Sequence, residues 1–379
     1  MKKGRSLFLL LVLFFAAGTI FGQVLRPNNL KSGAVYVMTN QAANSVMAFS
    51  RSPKTGALTL VDTELTGGAG NPIAIPPDPP TDPLASQGSL IVDEDNEYIY
   101  AVNAGSNEIS VLEVTVSGLE FVQKISSGGV RPISLTIYGD WLYVLNEGGT
   151  PNITGFNVGK VGTLEPIAGS MRPLIGGTMA DPAQVGFNTD GTLLVVTEKM
   201  GNRLDTYAVD SNGVPGQPMA NPSSGMTPFG FAFGGNGILF VSEAFGGTPG
   251  ASAVSSYGVD GDVLDLISGS VHNGQTASCW VVTTNGGQLS FVSNTGSGTI
   301  SSYESSESGE LTLIDGAAAS TGAGSAPIDM ALSVNDRFLY VLENGSHVVS
   351  GWIAGKDGSL TLIGEFGTLP AGSQGIAAK

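Results

Sequence analysis

Short apolar segments recur along the whole chain, separated by turns rich in Gly, Asn and Asp. The commonest arrangement is an apolar strand ending on Asn or Glu, a short polar loop, and a second strand ending on a large apolar residue. Alternating polarity with turn residues at this spacing is typical of antiparallel strands. The seven residues that end the first strand, termed anchors below, are Asn40, Asn103, Asn146, Glu198, Glu243, Asn294 and Glu343. They predict seven copies of one hairpin.

Each hairpin is flanked by further strand-like segments. A third strand follows several of them, as at 310–316, and a small-residue apolar strand, usually opened by Pro, precedes six of the seven. Such repeats, whose anchors lie 43 to 63 residues apart and each of which is a four-stranded antiparallel sheet, predict an all-β, seven-bladed β-propeller. The predicted innermost strands are 87–92, 131–137, 181–187, 227–233, 276–282 and 326–332.

The first hairpin, at 33–49, has no such strand before it, and the end of the chain supplies one. Ser373-Gln374-Gly375 repeats Ser86-Gln87-Gly88, the start of another innermost strand. We therefore expect residues 374–378 to pair with 33–39 and to close the ring. Closure covers sheet edges that would otherwise be open to aggregation. Residues 23–379 are predicted to form this single domain.

Residues 1–22 have a basic start at Lys2, Lys3 and Arg5, then an apolar run that ends near small Gly22. This pattern is typical of a cleaved secretory signal peptide. An uncleaved membrane anchor is the alternative, but the apolar run is short for the roughly 18 residues that span a bilayer. The expected location is therefore the periplasm or the outside of the cell, with no membrane span after cleavage.

Composition and charge narrow the classes of partner. Gly accounts for 55 of 379 residues, which suits a turn-rich chain, and the formal net charge is −16. An acidic surface repels phosphate backbones, so nucleic acid is not expected as a partner. Cys279 is the only cysteine. It cannot form an intrachain disulfide and is expected to be a buried thiol.

Antiparallel pairing places the loop after each anchor and the segment leading into each innermost strand on one face of the ring. We term it the anchor face, and the mouth of a propeller channel there is a favoured place for a pocket. No metal is expected, because the histidines and their neighbours match no zinc or calcium spacing; no cofactor motif occurs either. The candidate binding residues are Gln87, Arg131, Glu147, Arg172, Asp181, His272, Glu343, His347 and Gln374.

The anchor glutamates have two interpretations. A Glu near a channel mouth can have a raised pKa and act as a general base. Alternatively, Glu accepts the same loop hydrogen bonds as the Asn of the other repeats. The candidate catalytic residues are Glu243 as base, with Glu198 and Arg203 assisting.

The longest loop on the anchor face is 67–86, with six prolines between Pro72 and Pro83. Pro-rich segments are stiff and extended. The loop is predicted to be either a lid over the mouth or a plain surface insertion.

The repeats at 181–210 and 326–352 resemble those of the lactonase-type seven-bladed propellers, which include 6-phosphogluconolactonases and carboxymuconate-cyclising enzymes. Both have a Pro-led inner strand and an Asp-containing turn. Both then have an apolar strand and a strand that ends on an aromatic residue. The resemblance covers essentially all of the chain after residue 22. It implies the propeller fold and, for active members, hydrolysis of a lactone.

Active members of that family carry His-Pro-His at one inner strand, Pro-Arg-His at the next and Asn-Glu at the following anchor. The corresponding residues of this chain are Asp181-Pro182-Ala183, Pro228-Phe229-Gly230 and Ser242-Glu243. These differences from the family's motifs favour a binding module over an enzyme. Its ligand is expected to be a small molecule, such as a lactone or a sugar, or an envelope protein. The alternative is a divergent hydrolase of a non-phosphorylated sugar lactone or other small lactone, because a secreted protein does not meet phosphorylated cytosolic intermediates.

Overall fold

The computed structural model describes residues 29–73 and 81–379. The predicted signal at 1–22 and the middle of the Pro-rich loop lie outside the described residues. The described part contains seven antiparallel sheets and three short 3-10 turns. None of its helices is long and apolar enough to cross a bilayer. The prediction of an all-β, seven-bladed propeller is confirmed.

Each sheet is one blade, and its strands follow one another from the channel outward. Blade 1 contains β29 (Ile376–Ala378), β1 (Ala34–Met38), β2 (Ser45–Arg51) and β3 (Leu58–Leu65). Blade 2 contains β4 (Leu90–Val92), β5 (Tyr98–Asn103), β6 (Glu108–Val114) and β7 (Leu119–Ser126). Blade 3 contains β8 (Val130–Tyr138), β9 (Trp141–Gly148), β10 (Asn152–Val158) and an outer strand in two pieces, β11 (Leu164–Pro166) and β12 (Arg172–Pro173).

The remaining four blades follow the same order. Blade 4 contains β13 (Pro182–Phe187), β14 (Leu193–Glu198), β15 (Arg203–Ala208) and β16 (Met219–Pro222). Blade 5 contains β17 (Pro228–Phe233), β18 (Leu239–Glu243), β19 (Ala253–Asp260) and β20 (Val263–His272). Blade 6 contains β21 (Ser278–Thr283), β22 (Leu289–Asn294), β23 (Thr299–Ser305) and β24 (Leu311–Ser320). Blade 7 contains β25 (Pro327–Leu332), β26 (Phe338–Glu343), β27 (Val348–Ala354) and β28 (Leu360–Phe366).

The ring closes within blade 1, as predicted. The C-terminal strand β29 pairs antiparallel with β1, with Val37 opposite Ile376 and Val35 opposite Ala378. Reciprocal main-chain hydrogen bonds between Ala34 and Lys379, of 3.1 and 2.8 Å, extend this ladder. The two ends of the domain are therefore held in one sheet.

Buried tyrosines join neighbouring blades. Every blade contributes one tyrosine that is no more than 2% exposed. Several donate their hydroxyl to an adjacent blade, as when Tyr36 of blade 1 donates to Asn96 of blade 2 and Tyr340 of blade 7 donates to the carbonyl of Gly56 in blade 1. A buried hydroxyl needs such a partner, so these bonds set the packing of one blade on the next.

Ring closure predicts a difference between two apolar positions. Ile376 is 5% exposed in the closing strand, and Leu362 is 52% exposed on the outermost strand of blade 7. We expect Ile376→Asn to lower the free energy of unfolding by about 3 kcal/mol or more, because it removes a buried side chain and buries an amide. Leu362→Asn, the matched control, should change it by less than about 0.5 kcal/mol. Urea unfolding measures both, and equal effects would contradict closure by β29.

Candidate functional site

The channel is closed at the anchor face by residues 81–88, the end of the Pro-rich loop and the start of the innermost segment of blade 2. We term this segment the plug. Leu84, Ala85 and Ser86 are at most 2% exposed. The plug therefore lies inside the ring at the anchor face.

Side chains and main chain from around the ring bind the plug. Asn344 of blade 7 donates to the carbonyl of Thr81 at 2.8 Å, and Gln374 of blade 1 donates to the Asp82 carboxylate at 3.0 Å. In blade 6, the indole of Trp280 donates to the carbonyl of Ser86 at 2.9 Å. These bonds fix the plug to blades on both sides of the channel.

Gln87 links the plug to the innermost strands of blades 4 and 6. Its side-chain amide donates to the carbonyl of Val281 at 2.9 Å and accepts from the Val281 N–H at 3.2 Å, and its own N–H donates to the carbonyl of Ala183. The amide also lies against Gly230 of blade 5, where a Cβ would overlap Gln87 Oε1 and crowd the carbonyl of Cys279. Only glycine fits at 230 beside this amide.

Two basic side chains are occupied in holding the plug. Lys199, which is 6% exposed, donates to the carbonyl of Ala85 at 3.1 Å and pairs with Asp181 at 3.0 Å. Arg131 donates to the carbonyl of Pro83 at 2.7 Å and forms an ion pair with Glu147. Of these, Lys199 was not among the sequence candidates.

Apolar side chains near the starts of two innermost strands, β13 and β17, pack beneath the plug. Ala183 and Phe229 belong to one buried cluster with Ala85 and Trp280. The rings of Phe229 and Trp280 lie 4.9 Å apart, and the Lys199 ammonium lies 5.2 Å from the centre of the Phe229 ring. This region is part of the hydrophobic core.

The anchor glutamates point into their own blades. Glu243 is fully buried and accepts from the N–H of Gly225 at 2.8 Å and from the hydroxyls of Ser255 and Ser270 at 2.6 and 2.7 Å. Three donors to one carboxylate satisfy it internally. This arrangement matches the interpretation in which Glu accepts the loop hydrogen bonds.

Glu198 and Arg203 form an internal network in blade 4. Arg203 donates to Glu198 at 2.7 Å, and Glu198 also accepts from the N–H of Gly176 at 2.9 Å. Asp205 lies 3.5 Å from the Arg203 guanidinium, and burial raises the pKa of Asp205 to about 8. The guanidinium is thus shared between two carboxylates and faces neither the plug nor the channel cavity.

The remaining candidates are spread over separate blades. Arg172 donates to carbonyls of Gly216 and Gly169, on the outer side of the ring. His272, at the end of β20, contacts the carbonyl of Ala251. His347 lies two blades away from His272. Burial raises the pKa of Glu343 to about 7. Among the described residues no three metal-ligating groups come together.

The channel is open at the opposite face, which we term the lower mouth. Below the plug lies a cavity of about 540 Å³ that runs between the innermost strands to their ends. Its upper end is bounded by Gln87, Gln184 and Asp329, and most of the residues that line it have apolar side chains. Of the sequence candidates only Gln87 lines it. Asp329 was missed because it sits within an apolar strand, with no motif around it.

Comparison with known proteins agrees with this architecture. The family model described as "Lactonase, 7-bladed beta-propeller" matches residues 73–172. No curated protein sequence matches the chain. A candidate 6-phosphogluconolactonase of Bacteroides uniformis ATCC 8492 superposes with a TM-score of 0.68 at 17% identity, covering 92% of this chain and 99% of that one. The Pseudomonas aeruginosa periplasmic gluconolactonase PpgL superposes with a TM-score of 0.69 at 13% identity, covering 91% and 98%.

A more distant likeness is to the virginiamycin B lyase of Staphylococcus aureus, with a TM-score of 0.53 at 14% identity over 74% of this chain and 85% of that one. At these identities the superpositions show the fold alone. Together with the family match, they support the predicted lactonase-type propeller.

The contact between Gly230 and Gln87 makes a prediction about the plug. Gly230→Ala should lower the free energy of unfolding by about 1–3 kcal/mol, because the new methyl group displaces the Gln87 amide from Val281. In a Gln87→Ala background the same change should cost less, although the crowded Cys279 carbonyl remains. A double-mutant cycle by urea unfolding measures the coupling. Additive effects would contradict the contact.

Asp329 predicts a pH dependence. It is 2% exposed, and burial raises its pKa to about 7, with Asp82 adding to the rise. The folded state therefore favours the protonated carboxyl, and this stabilisation is present below about pH 4 and lost as pH rises through about 7. As pH rises from 5 to 8, the melting temperature of Asp329→Asn should increase relative to that of wild type. Asp140→Asn, in an exposed turn, is the control, and a constant difference would contradict the assignment.

Proposed function

Because this chain is a lactonase-type seven-bladed propeller with a plugged anchor face, we propose that it is a non-catalytic module that binds a small molecule in the channel cavity, through the lower mouth. The observation that carries the proposal is the plug. A lactone carbonyl needs a preorganised donor or cation to stabilise the developing oxyanion. The two cations beside the plug already have partners. Lys199 donates to the carbonyl of Ala85 and pairs with Asp181. Arg131 donates to the carbonyl of Pro83 and pairs with Glu147.

The carboxylate of the candidate base also already has hydrogen-bond partners. Glu243 accepts three hydrogen bonds inside blade 5, and Glu198 and Arg203 pair with each other inside blade 4. A general base must lie within hydrogen-bond reach of the water it activates. This arrangement favours binding over the alternative, a divergent lactone hydrolase that uses Glu243 as base.

The cavity supports a small ligand with an apolar body. Pockets for such ligands are concave, mostly apolar and about 300–1,000 Å³ in volume. A sugar needs several polar partners, and the amides of Gln87 and Gln184 are already paired with main-chain groups of Val281 and Phe231. A small apolar molecule therefore fits better than a sugar or an envelope protein.

Export is part of the proposal. The basic start and apolar run of residues 1–22 favour a secretory signal. A ligand met in the periplasm or outside the cell is consistent with the likeness to a periplasmic gluconolactonase. The binding role needs no cofactor.

The test uses the neutral fluorophore N-phenyl-1-naphthylamine, whose emission rises in apolar surroundings. We expect wild type to bind it saturably. Ala331→Phe, which fills the cavity wall, should weaken binding at least about fivefold, whereas Ala317→Phe, on the exposed outer strand β24, should leave it unchanged. No turnover is expected with a panel of sugar and aliphatic lactones.

Two results would overturn the proposal. One is fluorophore binding that is absent, or that is the same in Ala331→Phe as in wild type. The other is lactone turnover that disappears in Glu243→Gln, which would establish the hydrolase instead.

A further inference from the structure

The lower part of the cavity and the opening beside it are lined by a ring of apolar side chains, with each blade contributing at least one. They stand near the ends of the innermost strands, and most are only partly buried, so they face the open channel. The ring consists of Ala378, Ile91, Ile137, Phe187, Phe233, Val282 and Leu332, from blades 1 to 7 in order. A ligand that enters from the lower mouth must place an apolar part within this ring.

The polar groups above the ring already have partners. Gln184 donates to the carbonyl of Phe231 at 3.0 Å and accepts from its N–H at 2.7 Å, and Gln87 makes the same pair of bonds with Val281. Asp329 accepts from the N–H groups of Met330 and Ile376 at 2.9 and 3.3 Å. A ligand part that reaches this depth can therefore be apolar without leaving the amides unpaired.

The lower mouth is acidic. The pockets at this face are lined by six carboxylates, Asp93, Glu94, Asp95, Glu97, Asp140 and Asp336, and by four basic side chains, Lys160, Arg337, Lys356 and Lys379. Lys379 donates to the carbonyl of Glu94 at 3.1 Å. Both carboxylate oxygens of Asp336 accept from the N–H of Asn285 at 3.2 and 3.1 Å, which orients the group. The excess of negative charge attracts cations into the mouth and repels anions.

Building on the proposed function, we propose that the channel ligand is an amphipathic organic monocation. Its apolar part enters the ring, and its ammonium group stays at the mouth beside Glu94 and Asp336. Both carboxylates line the opening that leads into the cavity. At the mouth the ammonium keeps much of its hydration, so the complex avoids the large cost of burying a charge. Phe233 lines the same opening, and an aromatic ring attracts a quaternary ammonium to its face.

The experiment measures displacement of N-phenyl-1-naphthylamine by three octyl compounds that differ in charge: octyltrimethylammonium, octanol and octanoate. Wild type should bind octyltrimethylammonium most tightly and octanoate least. The double variant Glu94→Gln with Asp336→Asn should bind octyltrimethylammonium about threefold to tenfold more weakly than wild type and should bind octanol with unchanged affinity. Added salt should weaken the binding of octyltrimethylammonium but not that of octanol. Glu120→Gln, on the exposed outer strand β7, is the matched control.

The outcomes separate this inference from the function on which it rests. If the fluorophore binds in the channel but octanol or octanoate displaces it as well as the cation does, the charge inference is wrong and channel binding stands. An unchanged cation affinity in the double variant has the same meaning. If the fluorophore does not bind wild type at all, the channel-binding function itself fails. The predicted order of affinities, with loss in the double variant alone, supports the inference.

Discussion

A stretch of main chain that crosses the middle of a protein must have its buried peptide groups hydrogen-bonded, because an unpaired group in the interior costs more free energy than an average hydrogen bond contributes. The plug meets this constraint with partners from the surrounding blades. Carbonyls of Thr81, Pro83, Ala85 and Ser86 accept from four different side chains, and Gln87 binds main-chain groups of blades 4 and 6. The described part of the plug thereby closes the channel at the anchor face.

The same constraint explains the residues around the plug. Lys199 and Arg131 are turned toward carbonyls, and each cation is neutralised by a carboxylate, Asp181 or Glu147. Gly230 leaves room for the amide that spans the channel. Phe229, beside it, packs on Trp280. The plug, the cations that hold it and the apolar side chains beneath it therefore belong to one packing arrangement.

Most of the fold could be predicted from the sequence, because each blade repeats a local pattern of alternating apolar residues and turns. Ring closure was also readable, since Ser373-Gln374-Gly375 copies a motif that opens another inner strand. The face shared by anchors and inner-strand starts follows from antiparallel pairing, as in Pro228 opposite Glu243. Local patterns of this kind do not depend on distant contacts.

The candidate site was less predictable, because it depends on contacts between residues far apart in sequence. Gln87 and Val281 are separated by 194 positions, and nothing near either residue signals their pairing. The sequence placed Glu243 on the correct face, but only the packing of β18 on its neighbours turns its carboxylate into the blade. Lys199 carried a usable signal, since it directly follows an anchor in a chain with few basic residues.

Native-state hydrogen exchange of the peptide that covers residues 84–89 tests the central claim directly. If the plug is an integral part of the ring, its amide hydrogens should exchange as slowly as those of buried strands such as β14. Such amides exchange only through global unfolding. Exchange as fast as at the exposed turn residues 211–212 would show that the segment leaves the channel readily. That result would contradict a permanently closed anchor face.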